Sequence, residues 1–212
     1  MAKKAGIGWG RSPRSFGRIL EGNLVTYVPW SFVRLWSCKA CGECCRWFKV
    51  PVSTREYSKI GQVYGYDVFE LGLGVAYLRK REQERCIFQF REGSRWLCGL
   101  QADKPHVCKM WPLIVSKTPL YGRPEAALWQ DQQEKLYVYI DPRCPNIILG
   151  KTGEHFLEKV LPEFVEIAFG KRRFQEHSTH WLDRIITDRW LTHNLNARSG
   201  DHHRHKTPSE RR

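Results

Sequence analysis

An α+β fold is what this sequence predicts: a small β-rich cysteine-cluster core, a helical C-terminal part and disordered basic termini. Three observations lead there. Short alternating apolar and polar stretches, broken by Pro, Gly and polar turns, recur between Leu24 and Ile140. Beyond residue 150 the period changes, and Phe156, Leu157, Val160, Leu161, Phe164, Val165 and Ala168 recur at helical spacing. All eight cysteines, from Cys38 to Cys144, precede the helical region.

Taken in order, Leu24–Val28 and Ser31–Trp36 alternate and read as strands, and Arg46–Val52 as a short extended segment. Ser53, Thr54, Arg55 and Glu56 form a capping box, so a helix is expected from about Thr54 to Tyr64. Asp67 followed by Glu70 suggests a second helix start, which Gly72 and Gly74 weaken. Cys86–Phe90 and Ser94–Cys98 flank Arg91-Glu92-Gly93, a three-residue hairpin loop with Gly in third place. That register sets Phe90 opposite Ser94 and Cys86 opposite Cys98 on one face. Leu113–Lys117, Ala126–Gln130 and Lys135–Ile140 read as further strands. Pro162 should kink the C-terminal helix or start a new one, and Gly170 should stop it. A last amphipathic helix would use Trp181, Leu182, Ile185, Ile186 and Trp190.

Apolar residues make up 42% and aromatics 13%, so the chain can fill a core and is not of the disordered class. The +13 net charge sits largely at the ends: Lys3, Lys4, Arg11, Arg14 and Arg18 meet no acid in residues 1–20. Four parts follow: a basic arm (1–20), a cysteine-cluster domain (21–150), C-terminal helices packing on it (151–195) and a basic tail (196–212). Basic arms can touch nucleic-acid backbones weakly and in a salt-sensitive way. Equally, they can serve solubility alone. No run of 18 apolar residues exists, so no membrane span is expected. Met1–Gly10 carries lysines but no apolar stretch of the signal-peptide kind, so the expected location is the cytoplasm.

The cysteines are Cys38, Cys41, Cys44, Cys45, Cys86, Cys98, Cys108 and Cys144. The first four form C-x2-C-x2-C-C, a spacing that lets the chain curl until sulfurs converge on one guest. Gly42 suits such a knuckle because a tight turn often needs φ > 0. Three thiolates at this spacing plus a distant Cys144-Pro145 follow the ligand grammar of iron–sulfur clusters. Zinc would accept the same sulfurs. Eight thiols could make two four-sulfur sites, or one site with four spares. Neighbouring side chains diverge in an extended chain, so Cys44 and Cys45 should play two roles: ligands of two neighbouring centres, or one ligand and one packed thiol. A disulfide framework is the rival, and it needs an oxidising compartment.

The run Cys38, Lys39, Ala40, Cys41, Gly42, Glu43, Cys44, Cys45, Arg46 resembles the signature of the YkgJ-like CxxCxxCC cysteine-cluster family, described as zinc- or iron-chelating. Later landmarks are similar to it too: Pro51-Val52-Ser53, Cys86 two before Phe88, Trp96 two before Cys98, Pro105 three before Cys108 with Trp111-Pro112 after it, and Asp141 three before Cys144-Pro145. Lys104-Pro105 stands where the family often has Arg-Pro. The resemblance spans roughly residues 36–146 and implies a metal or iron–sulfur centre held by these cysteines, without fixing the biological task. In the cysteine region the chain is also similar to flagellin lysine N-methylases, which keeps a methyltransferase-like enzyme as one alternative. A zinc-stabilised nucleic-acid-binding module is the other.

Remaining candidates are weaker. His106, two before Cys108, could replace a ligand; with enough thiolates present it is read as a bystander. His177 and His180, three apart, lack a nearby third ligand, and a solvated helix face explains them better. His202, His203 and His205 lie in the basic tail. Leu149-Gly150-Lys151-Thr152 ends like a phosphate loop, but Pro145 occupies the place of the required glycine. Gly72 and Gly74 read as a plain turn. Trp47, Trp96 and Trp111 lie near cysteines and could exclude water from a centre. No catalytic set stands out.

Overall fold

The computed structural model describes residues 26–81, 84–100, 103–130 and 134–179. The expected basic arm, basic tail and Trp181–Trp190 helix lie outside these residues. The architecture is α+β, built from small antiparallel sheets and short helices. Strand β1 (Val28–Pro29) pairs with β10 (Lys135–Ile140), which also pairs with β8 (Leu113–Ser116) and β9 (Leu128–Gln130). Strand β2 (Val33–Trp36) pairs with β11 (Ile147–Leu149). Strand β5 (Val75–Leu78) lies between β3 (Pro51–Val52) and β4 (Phe69–Gly72), and β6 (Gln89–Glu92) pairs with β7 (Arg95–Cys98).

Local chemistry sets the helices. Helix α1 (Glu43–Trp47) starts after Gly42, held at φ +79°. Helix α2 (Thr54–Tyr64) carries the expected capping box: Glu56 N–H donates to Ser53 Oγ, and Ser53 N–H donates to Glu56 Oε2 at 2.8 Å. The other oxygen of Glu56 accepts from His106 N–H at 2.6 Å, at the start of helix α3 (His106–Met110). One carboxylate therefore positions two helix ends. Helix α4 (Pro124–Ala127) has Pro at its first turn. A π-helical turn over Phe156–Val160 leads into helix α5 (Leu161–Ala168), with Pro162 in its first turn. Pro162 has no N–H for the i−4 carbonyl, so the regular ladder is interrupted there. At the far end Lys171 N–H reaches Glu166 O and Gly170 N–H reaches Ile167 O, closing a Schellman motif with Gly170 at φ +69°.

Two large apolar cores result, beside smaller clusters at Tyr27, Ala127 and Tyr139 and at Ala40 and Leu97. In the first, Trp36 and Val33 of β2 meet Val138 and Ile140 of β10 and Phe156, Leu161 and Phe164 of the C-terminal helical segment. The second gathers Val50, Val52, Ile60, Val68, Phe69, Leu78 and Leu100. Thiols belong to both.

Several sequence expectations are corrected. Trp30–Phe32 is a 3-10 turn, so the second strand begins only at Val33. Arg46 and Trp47 end a helix instead of opening an extended segment. Tyr66–Val68 is a 3-10 turn and Phe69–Gly72 a strand, so no helix starts at Asp67. The Leu73-Gly74 turn joins β4 to β5, as the glycines suggested. Ala126–Ala127 belongs to α4, and only Leu128–Gln130 is extended. The cysteine hairpin turns on two residues, Gly93-Ser94, with Glu92 opposite Arg95 and Cys98 opposite Gln89, so Cys86 and Cys98 are not cross-strand partners. Gly93 at φ +58° supplies the turn a two-residue loop needs, and this register buries Gln89 and Leu97.

Candidate metal centre

All eight cysteines line one cavity of about 100 Å³. That is several times the 10–15 Å³ or so a single water requires. The thiols arrive from separate segments: Cys38 and Cys41 before α1, Cys44 and Cys45 on it, Cys86 before β6, Cys98 closing β7, Cys108 on α3 and Cys144 before β11. All eight are free thiols. Among the described residues no three His, Cys, Asp or Glu groups form a ready-made ion site, so the sulfurs ring the cavity instead of meeting at a point.

The knuckle carrying Cys38–Cys45 is clamped from outside. Ala40 and Gly42 both take positive φ, at 51° and 79°. Trp96 N–H donates to Ala40 O at 2.7 Å, Gln89 Nε2–H to Gly42 O at 3.1 Å, and Cys86 N–H to Cys45 O at 3.2 Å. Arg85 donates to Gln89 Oε1 at 3.1 Å and stacks over Trp96 at 4.1 Å. A methyl on Gly42 would come within 2.6 Å of both Gln89 Nε2 and Trp96 Cβ. Gly42→Ala is therefore expected to lose about 2–4 kcal/mol, from the left-handed backbone plus overpacking. Gly93→Ala, with open space around its added methyl, should lose only about 1–2 kcal/mol. Urea unfolding of both variants measures the difference, and equal losses would show that the clamp is unimportant.

The distal cysteine is held as firmly. Cys144 N–H donates to Asp141 O at 3.2 Å, and the buried Asp141 carboxylate is gripped by Arg143, whose guanidinium lies 4.7 Å above Phe48. Two donors reach sulfur directly: Trp36 Nε1–H to Cys144 Sγ at 3.2 Å, and Asn146 Nδ2–H to Cys41 Sγ at 3.5 Å.

Burial pushes Cys86 and Cys144 up to about 11, and it also raises Cys38, Cys98 and Cys108. Cys44 runs the other way, to about 7, because the Cys45 thiol 3.9 Å away donates to it; Cys45 rises in turn. Lys104 lines the same cavity. Burial pulls its ammonium down, but Cys98, Cys38, Cys44 and Cys108 outweigh this and the net shift is upward. The cavity thus offers soft donors, apolar walls and one internal cation. Such a donor set selects zinc, copper(I) or iron–sulfur chemistry over magnesium or calcium.

Other expectations sort clearly. Trp96 and Trp111 line the cavity, whereas Trp47 is 49% exposed and stands outside it. His106 is exposed and its backbone, not its ring, makes the contact with Glu56. His177 takes no place in the cavity wall, and His180 lies outside the described residues. Cys44 and Cys45 do not diverge as an extended chain would make them; both sit on α1 and both face the cavity. Sequence reasoning missed Trp36, Gln89, Asn146 and Gln175 as cavity residues, and noticed Lys104 only as a departure from a motif. The Asn146 signal was its position two residues after Cys144; the others carry none.

Compared with known protein families, residues 37–145 match the one described as CxxCxxCC, "Putative zinc- or iron-chelating domain". No curated protein and no solved structure matches the chain.

Proposed function

The chain belongs to the CxxCxxCC family of zinc- or iron-chelating domains, and from that premise we propose that it carries an iron–sulfur cluster, with Cys38, Cys41, Cys44 and Cys144 as ligands. The observation that supports this reading is the convergence of all eight thiols on one cavity. The C-x2-C-x2-C run and the Cys144-Pro145 pair favour a cluster over a lone zinc ion. Indole and amide N–H groups on Cys144 and Cys41 are the outer contacts that orient ligands and tune such centres. A bound cluster would supply one-electron chemistry or a structural cross-link. The protein's part is to bring thiols together from distant segments, exclude water with Trp96 and Trp111, and keep the sulfurs reduced. Eight unpaired cysteines support the reading of a reducing compartment such as the cytoplasm. Among the described residues no helix is long and apolar enough to cross a membrane.

The test is anaerobic purification followed by iron, zinc and acid-labile sulfide analysis with an absorption spectrum. A brown protein with iron and sulfide in equal amounts is expected. A colourless protein with stoichiometric zinc would replace the cluster by zinc at the same thiols.

A further inference from the structure

We propose that the cavity holds two four-thiolate metal sites side by side, divided between the neighbouring residues Cys44 and Cys45. This rests on the metal-centre reading above and extends it to the four cysteines that reading leaves unassigned. Packing makes the division. Cys144 is part of the first apolar core, and Cys38 packs both against it and against the small Ala40–Leu97 cluster. Cys86 is part of the second core, and Cys45, Cys98 and Cys108 pack against that one. Cys41 is drawn to the first set by Asn146, which follows Cys144 by two residues and donates to Cys41 Sγ at 3.5 Å. Cys44 lies 3.9 Å from Cys45 Sγ and interacts electrostatically with Cys38 of the first set as well as with Cys86, Cys98 and Cys108 of the second. The second set is already four without it, so Cys44 completes the first: Cys38, Cys41, Cys44 and Cys144 against Cys45, Cys86, Cys98 and Cys108. A helical C-C pair makes this division feasible, because successive side chains on a helix point about 100° apart while their backbone stays rigid.

Charge agrees with two sites. A divalent ion that displaces four thiol protons into solvent leaves a complex of net charge −2, so two such complexes carry −4. Lys104 lines the cavity and interacts with Cys38 and Cys44 of one set and Cys98 and Cys108 of the other. Its ammonium is thus shared by both and offsets part of that charge. Each set must draw in around its ion, which couples loading to folding.

The experiment uses the full-length chain, reduced and stripped of metal, titrated anaerobically with Co²⁺ and followed by thiolate-to-cobalt charge-transfer absorption. The expected plateau is two cobalt ions per chain, with all eight thiols protected from a thiol reagent. Cys108→Ser and Cys144→Ser should each bind one ion, half the wild-type amount, and the double variant none. A wild-type plateau at one ion with four thiols still reactive would overturn the two-site proposal and leave a single centre standing. No thiolate–cobalt absorption at all would overturn the metal-centre reading itself. Should a variant fail to fold, the wild-type stoichiometry alone decides.

Discussion

Replacing Cys41 with Ser is expected to abolish metal binding at the set proposed for it with Cys38, Cys44 and Cys144, and to lower the melting temperature by about 10 °C. A serine hydroxyl is a hard, protonated donor at neutral pH and does not replace a soft thiolate. The magnitude follows from linkage. A metal present at about 1,000 times its dissociation constant stabilises the folded state by about 4 kcal/mol, and each kcal/mol is worth roughly 2–4 °C in a chain of this size. Wild-type protein stripped of metal under reducing conditions should melt no higher than the variant, which keeps the ion of the other proposed set. His177→Ala should keep the metal, because His177 takes no place in the cavity wall. Calorimetry with parallel metal analysis checks all three. A loaded wild type and a stripped wild type with the same melting temperature would show that the centre contributes nothing to the fold.

How far the sequence foretold this arrangement depends on whether the signal was local. The capping box at Ser53 and Glu56 is local, and α2 runs over Thr54–Tyr64 as the pattern demands. The β10 strand, Lys135–Ile140, alternates strongly enough to be read directly. Hairpin register is different. A three-residue loop Arg91-Glu92-Gly93 and a two-residue loop Gly93-Ser94 are both compatible with the sequence, and burial of Gln89 and Leu97 chooses the second. That choice moves Cys98 opposite Gln89 and ends the expected pairing with Cys86. At the metal centre the cysteines announced themselves, but the proposed membership of the two sets did not. It depends on which apolar core each thiol packs against, a long-range property with no local trace. The same holds for Trp36 and Lys104, whose residue types carry no motif. The C-terminal segment is the clearest case, since nothing in its composition marked it as part of the cysteine cavity.

Glu163→Ala is the expected demonstration of that segment's role, with a loss of about 4 kcal/mol. Glu163 lies on α5, is 1% exposed, and among the described residues its hydrogen-bond partners include no cation. Its carboxylate instead accepts from Glu176 N–H at 2.6 Å, His177 N–H at 2.7 Å, Ser178 N–H at 3.3 Å and Ser178 Oγ–H at 2.7 Å. Removing it orphans buried donors, each costing about 1–3 kcal/mol when unsatisfied. The consequence reaches the thiols. The turn that Glu163 holds presents Ser178 O to Cys38 N–H at 3.0 Å and sets Gln175 in the cavity wall, where its side chain donates to Lys109 O at 2.8 Å beside Cys108. Residues beyond the family match thus brace both ends of the cysteine framework. Glu163→Ala should therefore release metal to a competing chelator about tenfold faster than wild type, as loss of an outer support typically weakens a metal site 10- to 100-fold. Glu163→Gln, which keeps an acceptor oxygen, should fall between the two. Stopped-flow chelator competition measures the release, and thermal unfolding measures the stability. A variant that loses stability yet releases metal at the wild-type rate would confine Glu163 to the fold and detach the C-terminal segment from the centre.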